Sequence, residues 1–245
     1  MSKNELSKKK KNKIKINLRL SWKAFNQNRK FSYKTPNESL VQMVSPFLKN
    51  VNTFIDLGSG SQNNSLWLAE NKKKVFSIDY AQKNNIYKNK KNIIFKNIDL
   101  TNSEEIKFIQ QYKIDFVIMH QFIDHLFLED AFDILKFLNK IINIEYIYIS
   151  FLKTKSFGSQ VVGKKLTKTS YMSPISKRLG AKFKELHTFY SDKNIKKSLK
   201  ILNNFSVTNK KEVAEKYFEK NKNVKNFEVT DHYLLKKIKK PNYCR

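Results

Sequence analysis

Cysteine is almost missing from this 245-residue chain: the single one, Cys244, sits beside the end. Neither an internal disulfide nor a cysteine-based zinc site can be assembled from it, and a reducing, cytoplasmic setting is expected. Long apolar runs are missing too. No stretch approaches the ~18 consecutive apolar residues that cross a bilayer. The opening MSKNELSKKKKNKIKI has no apolar segment behind its lysines, as a secretory signal would. No membrane insertion is therefore expected. Arginine occurs only at Arg19, Arg29, Arg178 and Arg245, and glycine only five times.

Acidic residues are scarce as well, 21 against 49 Lys plus Arg, for a formal net charge of +28. Abundant Lys, Asn, Ile, Phe and Tyr beside rare Arg is what an AT-rich coding sequence gives, but such a bias does not deplete Asp and Glu. The excess is also uneven. Residues 1–50 carry 13 basic and 2 acidic side chains, residues 51–150 carry 12 of each, and residues 151–245 carry 24 and 7. A neutral centre between basic flanks suggests two functional surfaces on one fold.

Residues 1–15 form a low-complexity lysine tract, read as a basic disordered arm. Residues 16–50 are read as a helical segment covering the site. Within it Leu40, Val41, Met43 and Val44 recur at helical spacing, Asn37 is a candidate cap with Glu38 in the first turn, and Pro36 and Pro46 mark the limits. From residue 51 short β-rich runs alternate with helical ones. The expected strands are Thr53–Leu57, Lys74–Ile78, Ile93–Phe95, Asp115–Met119 and Tyr146–Phe151. Phe132, Leu135, Leu138 and Ile142 mark a sheet-packing helix before the last of these. Residues 153–190, with Gly158, Gly163, Gly180 and Pro174, read as a basic insertion or lid on the substrate side. Residues 191–245 supply a helix near Asp192–Leu202 and a hairpin from Phe205–Val213 and Phe227–Ile238. The expected fold class is α/β: a single domain with a doubly wound, Rossmann-like, seven-stranded sheet, mostly parallel with an antiparallel C-terminal hairpin.

Function enters at the strand ends. Thr53-Phe-Ile-Asp-Leu-Gly-Ser-Gly-Ser-Gln-Asn-Asn-Ser65 is an apolar strand that ends in an acid and Gly-x-Gly and then enters a helix. Gly58 and Gly60 allow a tight turn and close approach of a ligand to the backbone. Asp79 ends the second strand, 21 residues beyond Gly58, where an acid accepts hydrogen bonds from ribose hydroxyls. Asp99 follows the third strand and suits an adenine amino group. Any one of these acids could be a turn or cap residue, but three at successive strand ends point to a nucleoside cofactor.

Asp56-Leu-Gly-Ser-Gly, Asn64-Ser-Leu-Trp-Leu-Ala69, the Asp79 strand end and Asp115-Phe-Val-Ile-Met followed by Asp124-His125-Leu together resemble the class I S-adenosylmethionine-dependent methyltransferases. The sequence is most similar to their tellurite-resistance-type and surface-polysaccharide-type domains, over residues 20–238, including Trp22, Tyr33, Pro36-Asn37 and the closing Asp231-His-Tyr-Leu-Leu strand. The resemblance implies S-adenosylmethionine as cofactor, with Asp56 and the Gly58, Ser59 and Gly60 backbone at its methionine part, Asp79 at the ribose and Asp99 at the adenine. Tyr80, Leu100 and His120 complete the expected cofactor contacts. Trp22, Phe25, Tyr33, Trp67 and Tyr80 are candidates to stack at the cofactor edge, Tyr33 foremost. Where that family usually has a third glycine this chain has Gln62, whose side chain would narrow the pocket or hydrogen-bond the cofactor carboxylate.

His125 and His120 are the candidate bases, with unperturbed pKa values near 6.5. His125 could equally cap a helix or position a loop, and His187 and His232 share that ambiguity. Methyl transfer needs a base only when the acceptor must lose a proton. No metal is expected, since a five-residue spacing does not put both rings on one helical face. The basic flanks point to an anionic acceptor, of which a small sugar or sugar phosphate methylated on O or N is the first reading. RNA or DNA is the second, favoured by lysines interleaved with aromatics. Against it, no Asn/Asp-Pro-Pro-Tyr motif and no Lys-Asp-Lys-Glu set appear. A noncatalytic cofactor-binding or scaffold domain is the third.

Overall fold

The computed structural model describes residues 6–28, 35–81, 86–154, 164–174, 184–218 and 225–238. The central strands are mostly apolar and largely buried, so they are covered on both faces, as parallel strands require. These are β1 (Thr53–Leu57), β2 (Lys74–Ile78), β3 (Ile93–Lys96), β4 (Phe116–Met119) and β5 (Tyr146–Leu152). Alternation distributes each strand's residues between two cores. Ile55, Leu57, Phe76, Ile78, Val117 and Met119 enter one. Phe54, Val75, Phe116, Ile118 and Tyr148 enter the other.

All four neighbouring pairs among β1 to β5 are parallel. The hairpin of β9 (Phe205–Phe218) and β10 (Lys225–Lys237) completes the sheet antiparallel, β10 pairing with β5. The resulting order is β3-β2-β1-β4-β5-β10-β9. It reverses between β1 and β4, which opens a crevice at their carboxyl ends. The strands agree with the sequence expectation to within a residue or two. The hairpin runs longer than expected at its turn, while β10 stops one residue short of Ile238.

Around the sheet lie α1 (Lys8–Asn28), α2 (Glu38–Val44), α3 (Asn63–Glu70), α4 (Leu128–Lys140) and α5 (Asp192–Ile201). Asn37 caps α2 as expected, its side chain accepting from the Leu40 N–H at 3.1 Å. The lysine tract departs from expectation: residues 8–15, read as part of a disordered arm, are the first two turns of α1. Tertiary contacts explain this. Leu18 is buried against Phe127 and Leu186, with Leu6, Ile14 and Leu166 packed alongside. Lys11 and Lys15 reach Glu129 and Asp130 in the first turn of α4, at 3.0 and 2.7 Å.

The described part of the insertion is a three-stranded antiparallel sheet of β6 (Lys164–Lys165), β7 (Ser170–Pro174) and β8 (Lys184–Thr188). Its two ends are pinned together. Lys153 bridges Tyr190, and the Tyr190 N–H donates to the Leu152 carbonyl at 2.7 Å. Its glycines at 158, 163 and 180 lie outside the described residues, as does Cys244.

Candidate active site

A cavity of about 700 Å3 lies over the carboxyl ends of β1 to β4. Its floor is the turn after β1. Gly58 has φ +69°, and a Cβ there would stand 2.3 Å from the Phe122 ring, so the loop after β4 packs where any other residue would clash. Gly60 has φ +49°, and its N–H donates to an Asp79 carboxylate oxygen at 2.9 Å. The other Asp79 oxygen accepts from the Ala81 N–H at 2.7 Å. Asp79 is thereby fixed on the wall as an acceptor-only group. Ser61, Asn63 and Asn64 bring the start of α3 to the same floor, where the helix dipole favours an anion.

Beyond Asp79 the wall is apolar, with Tyr80, Ile98 and Leu100, and ends at Asp99. One Asp99 oxygen accepts from the Thr101 N–H and hydroxyl at 3.0 and 2.8 Å; the other lies 3.6 Å from the Arg19 guanidinium of α1. Burial, with the charges of Asp79 and Asp99, pushes the Tyr80 hydroxyl well above its usual pKa. An apolar slot closed by an acceptor-only group suits a planar base that carries an amino group.

Two residues expected at the cofactor stand behind the wall instead. Asp56 is 2% exposed, and its carboxylate accepts from the Ser65 hydroxyl at 2.7 Å, tying β1 to α3. Burial, reinforced by the charge of Asp79, pushes its pKa up to about 7. Gln62 is wholly buried with φ +59°, the left-handed conformation that explains why glycine suits this position. Its amide donates to the Ser77 hydroxyl at 3.0 Å and accepts from the Ile86 N–H at 2.8 Å. It neither narrows the cavity nor offers itself to a ligand. Trp67 packs on the second core, whereas Trp22 lines the cavity. Tyr33 and the Phe25 side chain lie outside the described residues.

At the far end stand His120, Gln121, Phe122 and His125. His120 is held down to about pKa 3 by burial and by His232, so its ring is neutral. The Tyr148 hydroxyl sits between them, 3.3 Å from His120 Nδ1 and 2.7 Å from His232 Nδ1. A hydroxyl has one proton, so it donates to one Nδ1 while the other Nδ1–H donates to it, coupling the two tautomers. The His125 ring is 3.1 Å, through Nδ1, from the Leu186 carbonyl, and meets Trp22 edge-on at 5.4 Å between centroids. Burial lowers its pKa, and Glu185 on β8 opposes that shift.

Sequence reasoning missed Glu185. The available signal was its spacing from His187, two residues apart on a strand and therefore on one face. Among the described residues the cavity wall carries two carboxylates, Asp79 and Asp99, and neither Lys nor Arg. No group of three or more His, Cys, Asp or Glu is poised to hold a metal among these residues, and none of their helices is long and apolar enough to cross a membrane.

No protein-family model and no curated protein matches the sequence. Solved structures do match. The chain has the fold of the class I S-adenosylmethionine-dependent methyltransferases. One such methyltransferase, from Anabaena variabilis, is 14% identical with a TM-score of 0.65, over 97% of this chain and 98% of that one. The 1,6-didemethyltoxoflavin-N1-methyltransferase of Burkholderia thailandensis, with bound 1,6-didemethyltoxoflavin and S-adenosylhomocysteine, is 10% identical with the same TM-score, over 97% and 94%. TehB from Haemophilus influenzae is 15% identical with a TM-score of 0.57, over 89% of this chain and 67% of that one.

Proposed function

We propose that the protein is an S-adenosylmethionine-dependent methyltransferase acting on an O or N atom of a small acceptor. The observation that carries this is the pair of acceptor-only carboxylates, Asp79 and Asp99, at the ends of adjacent strands on one cavity wall, beside the Gly58–Gly60 turn. The donor set fits the cofactor. Asp79 would accept from the ribose hydroxyls, Tyr80, Ile98 and Leu100 would enclose the adenine with Asp99 at its amino group, and the backbone of Gly58, Ser59 and Gly60 with the start of α3 would hold the amino-acid end. Bound there, S-adenosylmethionine supplies a methyl group activated on a sulfonium, for which alignment provides most of the catalysis. His125 and His120, both neutral, are the bases available at the acceptor end.

An anionic sugar or sugar phosphate draws no support from the described wall, which has carboxylates and no cation. The aromatic and imidazole surroundings of Trp22, His120, Phe122 and His125 favour an uncharged acceptor with a weakly acidic N–H or O–H. The reading is tested by titrating S-adenosylhomocysteine calorimetrically. The wild-type chain binds, and Asp79→Ala weakens binding by roughly 30-fold, as expected for lost hydrogen bonds to a charged group. A folded wild-type chain that does not bind at millimolar ligand refutes the proposal.

A further inference from the structure

We propose that Glu185 on β8 is the positioning residue of a proton-accepting centre whose base is His125, serving an acceptor that reacts through a weakly acidic N–H or O–H. The reaction it serves rests on the methyltransferase reading; the acid–base centre is argued from this chain alone.

The Leu186 carbonyl can only accept, so the 3.1 Å contact places the ring proton of neutral His125 on Nδ1 and leaves the lone pair on Nε2. Trp22 edge-on at 5.4 Å and His187 at 5.5 Å limit rotation of that ring. Glu185 approaches the same nitrogen. One of its oxygens is 3.9 Å from His125 Nδ1 and the other accepts from His187 Nε2–H at 3.0 Å. Its side chain is 12% exposed, and among the described residues its ion partners are those two imidazoles. A buried carboxylate whose described partners include neither Lys nor Arg is best satisfied when one imidazole is protonated, which makes proton uptake by His125 less costly. Among the described residues the charges that act on the His125 ring are those of Glu185 and His187; Trp22 faces the ring from α1, and the Asp124 carboxylate accepts from the Leu152 N–H at 2.9 Å.

The proton balance closes. His125 Nε2 takes the acceptor's proton as the acceptor's lone pair bonds to the methyl carbon. The carbon–sulfur bond breaks with its electron pair returning to sulfur. The positive charge that began on the sulfonium ends on the imidazolium, beside Glu185. This arrangement resembles the way a carboxylate supports histidine in hydrolytic triads, except that the carboxylate acts across a backbone hydrogen bond.

The test is long-range 1H–15N correlation spectroscopy of the full chain against pH, each imidazole being assigned through its His→Gln variant. His125 is expected as the Nδ1–H tautomer. Its titration midpoint falls by about one pH unit in Glu185→Gln, the size of a lost neighbouring opposite charge, and returns toward wild type in Glu185→Asp. In His187→Gln, where the carboxylate is left to His125 alone, the midpoint rises; this variant carries the test should Glu185→Gln fail to fold. An Nε2–H tautomer for His125 overturns the proposal. So does a Glu185→Gln response confined to His187, which marks a structural pair. Affinity for S-adenosylhomocysteine stays within twofold of wild type in Glu185→Gln, so failure of the cofactor reading shows separately, as absent binding in the wild type.

Discussion

The cavity and the shell around it differ in charge and in what charge is for. The described cavity wall has two carboxylates and no cation, while the flanking segments hold 37 of the 49 basic side chains. Lysines in the flanks fasten them to the neutral centre. Lys11 and Lys15 of α1 engage acids in the first turn of α4, where the helix dipole already favours negative charge. Lys237 of β10 donates to the Ile141 carbonyl at 2.9 Å, closing the other end of the same helix. Lys197 of α5 lies 4.6 Å over the Phe132 ring of α4. Net charge in this chain therefore describes how the fold is assembled more directly than what the site receives.

The largest effect is expected at an ion cluster within the C-terminal flank itself. Lys153 stands where the insertion leaves β5, its side chain 10% exposed, with carboxylate oxygens of Asp192, Asp231 and Glu212 at 2.9, 3.2 and 3.4 Å. Burial alone would lower its pKa, but the hydrogen bonds and charges of Asp192 and Asp231 outweigh that and raise it. Lys153→Ala leaves Asp231, 1% exposed, with Lys210 as its remaining described ion partner. Stripping a buried carboxylate of its main partner costs about 3 kcal/mol, measured as a shift in urea unfolding. If the shell and the cavity are separate in function, Lys153→Ala opens the β7–β8 amides to hydrogen exchange and leaves affinity for S-adenosylhomocysteine unchanged. A loss of affinity as large as that of Asp79→Ala would erase the distinction.

The two regions also differed in how far their sequence could be read. β1 to β5 are short, mostly apolar and bounded by acids and glycines, and each signal lies within a few residues of the feature it marks. Asp79, Asp99, Gly58 and Gly60 were legible for that reason. Asp56 and Gln62 were legible as parts of the motif but not as residues behind the wall, because direction depends on the local turn and on partners such as Ser65 and Ser77. In α1 lysine composition masked the helix, whose stability comes from Leu18 meeting Phe127 and Leu186 more than a hundred residues away. The approach of Glu185 to His125, 60 residues apart, is a tertiary contact that no local pattern encodes.

Gln62 holds the turn from inside the motif. Gln62→Ala keeps the left-handed backbone and removes both side-chain hydrogen bonds, costing about 2 kcal/mol of unfolding free energy. Gln62→Gly loses the same bonds but relieves the backbone, and costs less. Both leave the cavity wall intact, so affinity for S-adenosylhomocysteine falls only as far as the turn loosens. A Gln62→Ala protein of wild-type stability would mean that the two hydrogen bonds do not hold the turn.

The smallest effect tests the shell at its most basic. Lys8, Lys9, Lys10 and Lys13 are exposed on α1, and Lys8→Gln, Lys9→Gln, Lys10→Gln and Lys13→Gln combined remove four positive charges without touching Lys11 or Lys15. Exposed charges are screened by physiological salt, and surface changes of this kind typically shift stability by about 0.5 kcal/mol or less apiece. Affinity for S-adenosylhomocysteine is expected to change by less than twofold, at low salt as at high. A tenfold change that vanished with added salt would mean that the lysine field reaches the cavity, and would restore an anionic acceptor as the better reading of the +28.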